Sequence, residues 1–92
     1  MFGNHDREAE RILKALANRR RFLILRFLNT KRSASVGDIA ERMHLSFAAT
    51  SRHLRVLANA DLVESEQVNT TVNYSLPKVR HAILDTALRV FH

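Results

Sequence analysis

Between Glu8 and Ala17 the apolar residues Ala9, Ile12, Leu13, Leu16 and Ala17 fall on one side at helical spacing. That pattern predicts an amphipathic helix. Asn18 then has the short polar side chain of a helix cap, opening a second helix whose inward stripe is Phe22, Leu23 and Leu25 with Phe27 and Leu28. Arg19, Arg20, Arg21 and Arg26 are left for solvent or a partner. Lys31 to Ser35 is polar and loop-like, and Val36 to Met43 supplies a third, short helix with Ile39, Ala40 and Met43 inward. His44, Leu45 and Ser46 make a tight turn, and Ser46 is a natural N-cap for a fourth helix running to about Asn59, with Leu54 and Leu57 inward and Arg52 and Arg55 outward.

After Asp61 the period changes from that of a helix to that of a strand. Leu62 to Gln67 and Thr71 to Leu76 read as two strands joined near Asn69, a residue that tolerates the positive φ of a tight hairpin. Pro77 closes the second strand and opens a last helix, Lys78 to His92, carrying Val79, Ala82, Ile83, Ala87, Val90 and Phe91. Five helices with a two-stranded hairpin make a mainly α fold, a winged helix-turn-helix, and the 92 residues fit one such domain. Only Gly3, Gly37 and Pro77 interrupt the chain, so no linker or repeat is expected.

Charge changes the picture from fold to partner. The chain carries a formal +6 at neutral pH, which favours a polyanion. From Arg11 through Arg55 there are eleven basic residues against Asp38 and Glu41 alone, a concentration suited to phosphate contacts that weaken steeply with salt. An anionic membrane is the poorer choice. No apolar run approaches the roughly 20 residues needed to span a bilayer, and His5, Asp6, Glu8 and Glu10 stand where a signal peptide would have its apolar stretch. A cytoplasmic location is expected. The absence of cysteine removes disulfides, thiolate metal sites and thiol redox switches. No glycine-rich phosphate loop is present, and no nucleophile and base can be assembled around His5, His44 or His53, so an enzyme is not expected.

The start of the fourth helix has the chemistry of a groove reader. A helix entering the major groove needs small polar residues on its N-terminal half and an apolar opposite face. Ser46, Ala48, Ala49, Thr50 and Ser51 meet that demand. Phe47 suits a thymine methyl, Arg52 a base edge or phosphate, and His53 a phosphate or base, while the amides near Ser46 offer a helix N-terminus to phosphate. The expected DNA-binding residues are Ser46, Phe47, Ala48, Thr50, Ser51, Arg52, His53 and Arg55, with Arg32 and Arg42 behind them and Asn69 and Thr70 on the wing.

From Ile39 to Val63 the sequence IAERMHLSFAATSRHLRVLANADLV resembles the ArsR family of winged-helix repressors, through its short IAERM helix, LS turn, SRHLRVL helix and following LV. Upstream, ALANRRRFLILRFL resembles the family's junction of first and second helices, with Arg19 where proline is common, so the likeness runs from about Ile12 to Leu76. It implies a homodimeric repressor that reads a palindromic operator in double-stranded DNA, built from the first and last helices, with two recognition helices about 34 Å apart. Ile12, Leu16, Ile83, Ala87, Val90 and Phe91 are the apolar candidates for that interface; the alternative is that they complete the monomer core. The wing departs from the family pattern, since Glu64 and Glu66 make it acidic where basic residues are usual.

The effector is unknown. No cofactor is expected, and the family's thiolate motif on the third helix is impossible without cysteine. One zinc or other divalent-metal geometry remains, suggested by the family's inter-subunit site: His81 of one chain with His92 of the other, across antiparallel last helices, with Asp85 as a substitute ligand for the aspartate that Val79 replaces. Within one chain those histidines would sit about 16 Å apart along the helix. Outside such a pairing they read as surface residues. The rival to DNA binding is a winged-helix protein-interaction module without specific DNA readout, and the basic, polar fourth helix argues against it.

Overall fold

The boundaries of the elements follow from where short polar side chains satisfy free backbone groups. In the computed structural model, which describes residues 3–92, helix α1 spans Asn4–Leu16. It begins four residues earlier than the apolar spacing indicated, because the Asp6 carboxylate accepts from the Gly3 amide at 3.2 Å and tethers the first turn. Asn18 caps α2, Arg19–Lys31, as expected, its Oδ1 accepting from the Arg21 amide at 3.0 Å. Ser35 and Ser46 do the same for α3, Val36–Met43, and α4, Phe47–Asn59, through the amides of Asp38 and Ala49. His44 takes the left-handed conformation (φ 56°) between them, and Leu45 N donates to Ala40 O at 3.0 Å, so the turn is short and tightly bonded.

The expected hairpin is present, as β2, Glu64–Val68, and β3, Thr71–Ser75, in antiparallel register from Val68 opposite Thr71 to Glu64 opposite Ser75. Asn69 has φ 58° at the tip. The stretch Lys31 to Ser35, expected as a loop, is not one: α2 runs through Lys31, Arg32 turns the chain with φ 77°, and Ser33–Ser35 forms a short strand β1. It pairs with β3, Ala34 facing Tyr74, giving the sheet order β1-β3-β2. The last helix is shorter than Pro77 suggested. Pro77 is buried, residues 78–81 are irregular, and α5 spans Ala82–Val90 with His81 as its N-cap. Arg80 holds the irregular segment by donating to Asn29 Oδ1 at 3.0 Å.

The core lies where α2 meets α3, α4 and α5, with Ile24, Leu25, Leu28, Ile39, Leu54, Leu57, Leu62 and Leu84 almost fully buried. Each such side chain contributes about 1.5–3 kcal/mol of transfer free energy. Two inward stripes differ from expectation. In α2 the buried residues are Ile24, Leu25 and Leu28, while Phe22, Leu23 and Phe27 are half-buried. In α5 they are Leu84 and Leu88, whereas Val79, Ala82, Ile83, Val90 and Phe91 are exposed and Ala87 half-buried. The result is a winged helix-turn-helix of five helices, a two-stranded wing and a third short strand.

Candidate nucleic-acid interface

On α4 the buried residues Thr50, Leu54 and Leu57 pack inward and leave Phe47, Ala48, Arg52 and Arg55 exposed, with Ser51 half-buried among them. Ser46 is exposed at the N-cap. Phe47 has 64% of its surface in solvent, an unusual cost for an aromatic ring. Thr50 corrects the expected contact list. It is fully buried, and its hydroxyl donates to Ser46 O at 2.9 Å, so it packs α4 onto the domain and presents nothing to a groove.

His53 is half-buried on α4. Burial, and then the guanidinium groups of Arg21, Arg20 and Arg52, hold its pKa below the ordinary value of 6.5. A cluster of positive charge thus gathers where the start of α2 meets α4, and sequence spacing alone, with 32 positions between Arg20 and Arg52, does not reveal it. Arg21 itself is not free for solvent as expected. Its Nε and Nη2 donate to Ala15 O and Lys14 O at 2.8 and 3.0 Å, satisfying carbonyls at the end of α1. Arg26 likewise turns inward along the surface, donating to Phe91 O at 3.3 Å.

The remaining expected contacts are dispersed. Arg42 lies on α3 with its guanidinium carbon 5.7 Å from the centre of the Phe27 ring, in a groove shared with Lys31, Asp38, Glu41 and His44. Arg32 is exposed at the end of α2, and Asn69 and Thr70 are exposed at the wing tip. Glu64 and Glu66 are also exposed and, two residues apart on β2, project from the same face, opposite to that of Ser65 and Tyr74. The ion pairs among the described residues are Arg80 with Asp85 (3.7 Å), Arg89 with Asp85 (3.8 Å) and His81 with Glu8 (3.6 Å). None uses a cation between Arg11 and Arg55.

A second, apolar surface lies on the other side of the domain. Leu13, Ile83, Val90 and Phe91 are 41–62% exposed, and Leu13, Leu16, Phe22, Ile83, Ala87 and Phe91 line one open groove between α1, α2 and α5. Phe91 meets Phe22 edge to face at 6.2 Å between ring centres. Ile12, expected on this surface, is only 4% exposed and belongs to the core; Leu13, expected inward, takes its place. The three residues of the metal reading do not share a helix face within the chain, since His81 precedes α5 and faces Glu8, His92 follows its end, and Asp85 is engaged by two arginines. Among the described residues no group of three or more His, Asp or Glu side chains could hold a metal ion.

Residues 18–65 match the family described as bacterial regulatory protein, arsR family. Over 65 residues the chain is 42% identical to the transcriptional activator HlyU of Vibrio cholerae, covering 71% of this chain and 59% of that protein. The HTH-type transcriptional regulator YgaV of Escherichia coli is 31% identical over 85 residues, 91% of this chain and 86% of YgaV. The structure of HlyU superposes with a TM-score of 0.82 at 33% identity, covering 98% of both chains. The homodimeric winged helix-turn-helix DNA-binding domain of Mb0332 from Mycobacterium bovis gives 0.74 at 28% identity, covering 91% of this chain and 71% of that one. No helix of the described residues is long and apolar enough to cross a membrane.

Proposed function

This chain belongs to the arsR family of bacterial regulatory proteins, and on that premise we propose that it is a cytoplasmic, homodimeric transcription regulator that binds double-stranded DNA in a sequence-specific way. The observation that carries the reading is the α2–α4 side of the molecule, where, among the described residues, arginines stand without carboxylate partners beside a helix start rich in small and polar residues. Buried or paired, those cations would serve the fold; unpaired, they fit phosphates.

In this reading α4 lies in the major groove. Ser46, Ala48 and Ser51 permit close approach, and Phe47 meets an apolar base edge such as a thymine methyl. Arg52 contacts a base or a flanking phosphate, and Arg55, Arg32 and Arg42 supply backbone contacts. Asn69 and Thr70 contribute neutral contacts only, since Glu64 and Glu66 oppose a close approach of the rest of the wing to phosphate. The homodimeric state of Mb0332 and the exposed apolar face of α1 and α5 support a dimer through Leu13, Leu16, Ile83, Ala87, Val90 and Phe91. A two-fold axis there would space two α4 helices about one DNA turn apart, roughly 34 Å, on a palindromic operator.

The regulatory sense we infer is repression by occupancy of the operator, although HlyU is named an activator. Selection of bound sequences from random duplex DNA tests the reading. Enrichment of a palindrome with two half-sites about one turn apart is expected, with binding that weakens as salt rises. Absence of duplex binding would leave the protein-interaction module. A reporter placed behind the enriched sequence should fall on expression of the protein, and a rise would reverse the sense.

A further inference from the structure

The start of α4 carries a group that no phosphate contact explains. Phe47 opens the helix with 64% of its surface in solvent, whereas Phe22 meets Phe91 edge to face and Phe27 lies under Arg42. The backbone beneath it is fixed. Ser46 Oγ accepts from the Ala49 amide at 3.0 Å, Ser46 O accepts from the Thr50 hydroxyl at 2.9 Å, and Thr50 is fully buried, so the helix start is pinned to the domain. Side chains of a helix tilt toward its N-terminus, which carries the ring ahead of the first turn. Ala48, exposed beside it, and Ser51, half-buried one turn on, are too short to hold the ring away from a surface.

A helix start in the major groove meets base edges whose groups donate or accept hydrogen bonds, the C5 methyl of thymine excepted. A phenyl ring offers no such bond. Set against N7, O6 or N4 it strips water and returns nothing, an uncompensated cost. Set against a methyl it covers apolar area on both partners. Cytosine methylated at C5 carries the same methyl at the same place in a G·C pair. We propose that Phe47 reads a pyrimidine C5 methyl, so that at one position of each half-site thymine and 5-methylcytosine are accepted while uracil and unmethylated cytosine are disfavoured. The inference rests on the DNA-binding reading above and deepens it, because recognition at this position follows the methyl group and not the identity of the base pair. Enzymatic methylation of a cytosine there raises affinity.

The test uses the whole protein and the operator selected from random duplex DNA, with each thymine in turn replaced by deoxyuridine, which removes the methyl and keeps every hydrogen-bonding group. At one position of a half-site the dissociation constant should rise about fourfold, the factor for burying one methyl group. A cytosine placed at that position should be bound about fourfold more tightly once methylated at C5. Phe47→Ala should weaken binding to the thymine operator and abolish both differences, and Phe47→Leu, which keeps an apolar side chain, should retain part of each. Since Phe47 is largely exposed, the urea midpoint of Phe47→Ala should stay near that of the wild type, which separates loss of contact from loss of fold. A selected operator in which no deoxyuridine weakens binding, or a Phe47→Ala protein with the wild-type preference for the methyl, would overturn the inference and leave the operator reading standing. Duplex binding without any preferred sequence would sink both.

Discussion

The two incomplete surfaces of this domain are incomplete in opposite ways. On the α2–α4 side, arginines collect without carboxylate partners among the described residues, and most large apolar groups are withdrawn into the core, Phe47 and Val56 excepted. On the α1–α5 side, Leu13, Ile83, Val90 and Phe91 stand in solvent, while every ion pair of the described residues involves an α5 or neighbouring residue: Glu8, Arg80, His81, Asp85 or Arg89. Charge is left unsatisfied on one face and apolar area on the other. Water tolerates each only at a cost, and each cost is relieved by a partner of a different kind, a polyanion in the first case and a matching apolar face in the second.

Adjacent residues of α5 give the strongest way to break this contrast. Leu84 is fully buried and Ile83 is 41% exposed. Leu84→Ala should lower unfolding free energy by about 2–5 kcal/mol in urea denaturation, a cost fitting a core leucine. Ile83→Asp should leave the isolated fold nearly as stable but raise the dimer dissociation constant ~30-fold or more in sedimentation equilibrium, the scale of a central interface residue. An unchanged self-association would mean that the apolar face serves something other than a second copy. On the charged side, Arg52→Ala should weaken binding to the selected operator by about 1–3 kcal/mol, and binding to random duplex by less. Equal losses on both would reduce Arg52 to a phosphate contact.

The wing offers a smaller effect of opposite sign. Glu66→Lys should tighten DNA binding a few-fold and steepen the salt dependence by about 1, because one like-charge repulsion becomes one attraction. No change in a fluorescence titration would show that the β2 face stays clear of the backbone. The smallest effect concerns the free protein. The midpoint of His53 lies below 6.5 when folded, so the unfolded chain binds more protons as pH falls through 6.5, and folding stability falls with it until the folded group also protonates. The urea midpoint of the wild type should thus drop more between pH 8 and pH 5.5 than that of His53→Gln. Acid would therefore weaken the fold slightly.

The elements that were legible in the sequence are those with a local cause. Asn18, Ser35 and Ser46 each satisfy an amide three residues ahead, so the starts of α2, α3 and α4 depend on neighbours in the chain. The turn at Asn69 is legible for the same reason, since its left-handed conformation is a property of the residue. What escaped depends on distant partners. Ser33–Ser35 has no apolar alternation and becomes a strand only because β3 offers an edge to pair with. In α5, Ile83, Ala87, Val90 and Phe91 make as good a stripe as Leu84 and Leu88, and only packing against α2 decides which one is covered.

The candidate site divides along the same line. Thr50 has the chemistry of a groove contact and the position of a core residue; its half-turn offset from Ala48 and Arg52 on α4 carried the signal, alongside Leu54 and Leu57 at spacings of four and seven. Arg21 was indistinguishable from Arg19 and Arg20 until the angle between α1 and α2 brought it under the last carbonyls of α1.

The side-by-side placement of Leu84 and Ile83 bears on how such a protein can diverge. Folding depends on the buried stripe of α5, and in the proposed dimer pairing depends on the next, 100° around the same helix. If the proposed dimer forms through that face, substitutions at Ile83, Val90 or Phe91 would change which chains associate while the stripe of Leu84 and Leu88 keeps each chain folded. After duplication of the gene, two copies could cease to mix through a few outward changes, each retaining its own reading helix.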